Sequence, residues 1–450
     1  MKMPTCHKNE HGVALVISLV FIALLGMLGT TAYVMTSTDL KIGSNYRASA
    51  EAFFDADAGI NYGEAMIEAA HKANPSFMPT VIGDPADPTD ANSVSLASFT
   101  APTGFGFSFQ APGLTLVYDD PNTYRYTCTG TGPSNSTASI TVTAKFKPVI
   151  EFGVFGDKKV DVGNTAGIYS YSSSSGTAPT SGTSTGEGDT GSNESVILRN
   201  GCVVDGDVAL GDDGAGTEGA LTNLSGVVLG DDNVDIDRVD PDPLGVVGGD
   251  YASEFSLTGK DNGNASLVCD PDGSISGINI DIGNGDTLTL KGKSGGANYY
   301  FDDIKLKNSS ILYLDTTNGP VNIYLSGEID AITGSNFINT TDATCSGAGT
   351  CCTCAAAACA VGLPGDFAIF ANSQSSTDKI SIGNSVDFSG FIYAPYLTVR
   401  MDNGADIFGA IIGREVEIAN SVEIYFDTDM KDDYTTNDLI LTTWRDVRTP

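Results

Sequence analysis

Four hundred and fifty residues are too many for one ordinary domain, and they supply material for two or three folded units, each with a core of its own. Fifty-three glycines and long Ser, Thr, Asn and Asp stretches between short apolar runs point to strands joined by many turns, with helix formers concentrated at the N-terminus. A formal charge of -33, from 56 Asp and Glu against 23 Lys and Arg with no basic stripe, excludes a nucleic-acid binder and leaves solubility or cation binding as the use of the acidity.

Residues 13–34 read VALVISLVFIALLGMLGTTAYV, an uncharged run of about 22 positions that is long enough to cross a bilayer as a helix. Lys2, His7, Lys8 and His11 with a single Glu10 precede it, so the short flank is mildly positive and stays cytoplasmic while the rest faces outward. Three readings fit: a secretory signal cut after Ala32, a plain membrane anchor, or a leader, 1–12, cut after Gly12. Thr30-Thr31-Ala32 would serve the first, but the run is longer than a usual signal core. Gly12 stands between polar leader and apolar run, where a peptidase at the cytoplasmic face reaches it and leaves the whole apolar segment, from Val13 on, in the mature protein. Beyond the run, Ile42, Tyr46, Ala50, Phe53, Asp57, Ile60 and Ile67 recur at helical spacing until Asn74-Pro75 stops them. The expectation is a transmembrane and amphipathic helical segment over 13–75, a continuous helix of roughly 55 to 60 residues about 85 Å long, with its first half in lipid and its second half lying on a globular domain.

The stretch 12–60 resembles the N-terminal domain of PilX-type minor pilins, in HGVALVISLVF, in Asp39, Asn45 and Arg47, and in AFFDADAGI at 52–60, where Asp57 replaces the glutamate usual in the family. The resemblance implies cleavage by prepilin peptidase between Gly12 and Val13 and N-methylation of Val13. It also implies a precursor in the bacterial inner membrane with its exported part periplasmic, then assembly with other pilins or pseudopilins into a type IV pilus or related filament at the cell surface. Major pilins usually carry a glutamate at the fifth mature position, where it neutralises a neighbour's ammonium; here Ile17 stands there. A filament of this subunit alone would bury unpaired ammonium groups, so the resemblance implies a minor subunit.

After a Pro/Asp/Ala-rich connection, alternation at 106–109, 114–118, 124–128 and 139–146, with turns at 119–122 and 130–136, predicts a pilin-type antiparallel meander over 76–148. From 149 to 450 the chain reads as a Gly/Asp-rich exported domain. FGVFGDKKVDVGN at 152–164 returns as FAIFANSQSSTDKISIGN at 367–384, and 386–392 returns nineteen residues later at 405–411. The pairs Leu397/Val416, Val399/Ile418 and Asn403/Val422 keep that spacing. Strands recurring every 17 to 20 residues suit a parallel β-solenoid, in which each rung buries its apolar face only by stacking on the next. The expected class is therefore α+β, mostly β: a long N-terminal transmembrane and pilin helix, an antiparallel meander, then the solenoid, with a β-sandwich as alternative. Residues 170–195, nearly all Ser, Thr and Gly, read as a flexible insert between rungs. The block 298–430, including GPVNIYLSGEI, FSGFIYAP and IFGAIIGREVEI, resembles a C-terminal domain of unassigned function found behind this pilin helix in some bacterial proteins.

Asp231, Asn233, Asp235 and Asp237 alternate like the first half of a calcium loop, but Ile236 and Asp242 stand where an EF-hand needs Gly and Glu, so an acidic surface turn fits as well. Calcium is the one cofactor the sequence suggests. Parallel β-helices also host polysaccharide-cleaving enzymes built on paired carboxylates, which makes a membrane-anchored or secreted β-helix enzyme the rival function. No histidine follows His71 and no nucleophile elbow appears, so a non-catalytic reading is preferred. That reading is a structural minor pilin or pseudopilin displaying a β domain for surface adhesion or tip assembly. Tyr169, Tyr171, Tyr299, Tyr300, Tyr393 and Tyr396 either line a face for a surface or carbohydrate ligand or pack the rungs. Removal of the leader with Cys6 leaves eight cysteines, Cys128, Cys202, Cys269, Cys345, Cys351, Cys352, Cys354 and Cys359, an even number suited to disulfides outside the cytoplasm. Zinc is the rival for the last five, against which stand the tight Cys-Cys-Thr-Cys spacing and the lack of a nearby histidine.

Overall fold

The computed structural model describes residues 11–73, 93–96, 101–109, 113–120, 123–175, 180, 182, 184–213, 215–264, 266–268, 274–276, 278–341, 362–431 and 433–447. They fall into two units, 1–147 with 437–450, and 148–436.

In the first unit a single helix, α1 (His11–Ala73), runs for 63 residues, about 95 Å, with no proline to break it. Its first half is apolar and uncovered: Leu19, Ile22 and Leu25 are each at least 64% exposed. Its second half lies on a sheet in which Ser93–Leu96, Leu114–Asp120, Thr123–Thr131, Thr137–Pro148 and Thr435–Val447 follow one another, with Phe107–Phe109 also pairing to Thr123–Thr131. The antiparallel meander is thus present. The helix buries Ala48, Ala52, Ala56, Ile60 and Ile67, while the expected stripe members Ile42 and Tyr46 stay exposed. The correction is physical: Ile42 and Tyr46 stand on the uncovered part of the helix, whereas from Ala48 on helix and sheet approach closely at Ala48, Ala52, Ala56 and Gly59 and pack around Ile60 and Ile67. A Cβ on Gly59 would overlap Cys128 Sγ, and one on Gly130 would overlap the Ala52 carbonyl. Tyr126 donates to the Ile60 carbonyl at 3.1 Å and Ser136 to that of Ala48 at 2.8 Å. The last strand also corrects the expected domain limits, since 437–447 returns to this sheet and not to the solenoid.

The second unit is a parallel β-solenoid, and the sandwich alternative falls with its parallel ladders. One ladder stacks Ile280, Ile304, Ile329, Ile380, Val399, Val416, Val160, Val196 and Leu221. A second includes Leu288, Leu312 and Phe337, and then, across a 5.6 Å ring contact, Phe388, Ile407, Ile424, Ile168, Val204 and Val228. A third aligns Tyr299, Ile323, Ile369, Ile392, Ile411 and Val154. β-branched residues dominate because each is packed from above, below and across. The chain enters this stack in the middle: Val154–Val162 lies on Asp406–Ile418, so segment 154–235 continues the column that 279–427 begins.

The repeat at 152–164 and 367–384 is real in space, with Val154 and Ile369 in the third ladder and Val160 and Ile380 in the first. The nineteen-residue spacing holds for Phe388 and Ile407, but the pairs expected beyond it are corrected to Val399 with Val416 and Met401 with Ile418. Three residues turn the corner between Ala394 and Thr398 where one, Arg414, turns it between Gly413 and Glu415. Earlier rungs are longer, as Ile280, Ile304 and Ile329 show. At one corner Asn403 donates to Asn384 at 3.3 Å and Asn164 to Asn420 at 2.8 Å, and the next residues, Thr165, Ser385, Gly404 and Ser421, all take positive φ. Such a ladder satisfies the turn at each rung.

Residues 239–255 return along the outside of the third ladder, where Leu244 and Val246 join Tyr324, Phe370, Phe391, Tyr393 and Phe426 in a separate core. This explains why Phe388–Met401 is apolar on both sides. The insert at 170–195 needs correction: Thr190–Ser192 is a buried strand, and buried Ser170 is held by Thr185 and by the Glu187 amide, each at 2.8 Å. Of the six tyrosines, Tyr171, Tyr299 and Tyr393 are buried and pack the rungs.

Candidate functional site

Gly12 and Val13 lie in the first turn of α1, directly before its exposed apolar half. Ile17 is 52% exposed and belongs to that surface. Hydropathy of this part averages 2.3 over the most apolar window, the level of a membrane span, and none of that window is covered by the rest of the chain. A helix half that is apolar all round needs lipid or neighbouring helices for its surface.

On the solenoid, the corner beside the asparagine ladder forms a shallow groove of about 370 Å³ lined by Asp161, Asn164, Arg199, Arg400, Glu417 and Asn420. Each cation is held in place. Arg199 forks onto both Asp161 oxygens at 2.7 Å, and Arg400 meets Asp402 at 2.8 Å. Lys159 reaches Glu417 at 3.3 Å. Hydrogen bonding to Asp161 and to Asp402 pushes the two guanidinium groups above their ordinary value, so both stay charged. Gly163, Met401, Ile418 and Ala419 complete the lining. Such a lining offers fixed donors and acceptors for a hydroxyl-rich ligand. Arg199 and Arg400 carry no mark of this site in the sequence beyond the Asn that ends each repeated phrase, Asn164 and Asn384.

Asp387, directly before the strand Phe388–Met401, is followed along the second ladder by the paired Asp406 and Glu423, and burial raises the carboxyls of Asp387 and Asp406 above the usual range. Asp231, Asn233, Asp235 and Asp237 are exposed along the last rung, and among the described residues no three His, Cys, Asp or Glu gather closely enough to hold a metal ion. Cys128 and Cys202 are buried free thiols, which corrects the expectation that they form disulfides; each fills a space that a neighbouring glycine leaves open, Gly59 and Gly226. Cys269, Cys345, Cys351, Cys352, Cys354 and Cys359 lie outside the described residues.

Residues 11–61 match the family model described as PilX N-terminal, and 269–433 match one described as a domain of unknown function, DUF7305. The helix is thus part of a PilX-type N-terminal domain, and the chain carries a pilin-type structural segment. No curated protein matches the chain. Among solved structures, an ice binding protein from an Antarctic Biological Consortium is similar at 12% identity, covering 64% of this chain and 95% of its own, with a TM-score of 0.33. The competence-associated pilin ComZ from Thermus thermophilus is similar at 12% identity over 89% of this chain and 97% of its own, with a TM-score of 0.30. The ice-binding protein_1 DUF3494 domain of Shewanella frigidimarina is similar at 14% identity over 63% of this chain and 99% of its own, with a TM-score of 0.27.

Proposed function

We propose that this protein is a structural, non-catalytic minor pilin or pseudopilin. Its α1 inserts in the inner membrane and then in a type IV pilus or related filament, and its solenoid is displayed outside the cell. One observation carries the reading: a PilX-type helix whose first half is wholly uncovered apolar surface and whose second half is wedged into a sheet. Prepilin peptidase cuts between Gly12 and Val13. Mass spectrometry of sheared filaments tests this, with Val13 expected as the mature, methylated N-terminus and Gly12→Val expected to accumulate uncut precursor. A mature chain beginning at Tyr33 would overturn the proposal.

Ile17 makes the subunit substoichiometric, because it offers no carboxylate to a neighbour's ammonium. Filaments formed with this chain as the sole pilin would contradict that. The displayed domain serves adhesion through the groove at Arg199, Arg400 and Asn420, whose fixed polar groups suit a carbohydrate's hydroxyls. Glycan binding by the full chain is expected to weaken roughly tenfold in Arg400→Ala; unchanged binding would leave display without adhesion at this groove.

A further inference from the structure

The two ends of the solenoid differ. At the 279 end every first strand is covered. Ser274–Ser276 pairs antiparallel with Asn279–Ile282, and Ser266–Val268 with Thr287–Lys291. The free edge of Ala297–Phe301 is met by side chains and backbone: Asn298 donates to Asp261 at 2.9 Å, Tyr300 donates to Asn262 at 3.0 Å, and the Asn262 amide donates back to the Tyr300 carbonyl at 2.7 Å.

Among the described residues the opposite end is bare. Ala220–Asn223, Val227–Val228 and Val234–Asp235 pair only with the preceding rung, through Ser195–Leu198, Val203–Val204 and Val208–Leu210, and no strand among the described residues pairs with their outer edges. The core runs out into solvent there. Val196 and Val204 are fully buried one rung in, whereas Leu221 and Val228 above them are only partly covered, and Leu224, Val227 and Leu229 are 53%, 47% and 62% exposed. Unpaired edge with exposed apolar side chains is a template for another strand.

Charge selects the occupant. Between 212 and 237 stand seven Asp or Glu and no Lys or Arg. Arg238, just beyond, is engaged with Asp157 at 3.0 Å and with the Asp212 carbonyl at 2.9 Å. A second copy of this end would bring a second acidic rim against the first, which like-charge repulsion opposes. We infer that the bare end, at Ala220–Asn223, Val227–Val228 and Val234–Asp235, takes an extended, lysine- or arginine-bearing segment of a partner protein as an added strand. The inference does not depend on the pilin reading, since it concerns the solenoid alone.

Full-length protein in detergent micelles, titrated with fluorescent peptides, tests it. An alternating valine–lysine peptide should bind saturably, about tenfold tighter than its valine–glutamate counterpart or a proline-interrupted version that cannot pair. Leu229→Lys with Asp232→Lys should weaken binding by about tenfold, and both positions are exposed enough for the fold to tolerate them. Asp330→Lys, on a side wall, should leave binding unchanged. No saturable binding, equal binding of the proline peptide, or an equal loss with Asp330→Lys would overturn the proposal. So would a dimer, seen by sedimentation and abolished by Leu229→Lys, because the end would then belong to a second copy.

Discussion

A β-carbon at position 130 would overlap the Ala52 carbonyl and crowd the Ala56 amide, so a single methyl group there must separate helix from sheet. Gly130→Ala is expected to cost about 1–3 kcal/mol and lower the thermal midpoint by several degrees, as overpacking does, while Gly43→Ala, in open space on the same helix, should not. Cys128 sits in the same seam. Burial pushes its thiol from the ordinary 9.0 up to about 12. The unfolded chain therefore loses this proton first, and stability present below pH 9 is progressively lost as pH rises through the folded value of about 12. Comparing unfolding midpoints of the parent and Cys128→Ala across that window should show a steeper alkaline decline in the parent. The same burial shields Cys128 and Cys202 from reagents in the native state. Under denaturing, non-reducing conditions the processed chain should label at these two alone if the other six cysteines pair, and labelling of all eight would remove disulfides from the protein.

Elements are held by a few well-placed groups. Asp242 fastens the returning segment to the solenoid: one oxygen accepts from Tyr393 at 2.9 Å and from the Val246 amide at 2.9 Å, the other from Tyr396 at 3.0 Å and the Val247 amide at 3.3 Å. Burial first, and Asp242 second, pushes the Tyr396 hydroxyl up to about 12, so the phenol remains a donor at neutral pH. Asp242→Ala strands two hydroxyls and two amides, at an expected loss of about 2–5 kcal/mol with increased protease access to 239–255, which calorimetry and limited proteolysis would read. Asp242→Asn should lose less, since the amide oxygen still accepts. None of this was legible in the sequence, because Asp242 and Tyr393 lie 151 positions apart and nothing local pairs them. The strands of both units were legible, since period-two alternation and the repeat at 152–164 and 367–384 are local patterns. The helix face was misread at Ile42 and Tyr46, because apolar spacing marks a stripe without saying whether protein or lipid covers it. The three-residue corner at 395–397, two longer than the one at Arg414, broke the inferred spacing for a similar reason: sequence alignment carries one offset, while a rung has three sides that change length separately.

For the whole molecule, the decisive feature is that the solenoid is one column made of two segments. Val154–Val162 and Asp406–Ile418 are some 250 positions apart in sequence, yet Ile411 stacks on Val154 and Val416 on Val160 with aliphatic side chains buried on both sides. Stability in a stacked array is set by each rung and its neighbours, so a rung with neighbours on both sides opens less often than one with a single neighbour. The junction has two neighbours, and so does every interior rung, whereas Ala220–Asn223 and Val227–Val228 have one. Native-state hydrogen exchange should therefore show amides of Phe388–Met401, Asp406–Ile418 and Val154–Val162 exchanging together and slowest. The rung at 220–235 should exchange fastest, and the capped strands at 279–301 should fall between. A minimum of protection at the 154–162 and 406–418 contact would mean two independently folding halves. In that case a destabilising change such as Ile411→Ala, otherwise expected to cost about 2–5 kcal/mol and to lower protection in both segments, would lower it only in the segment that carries it.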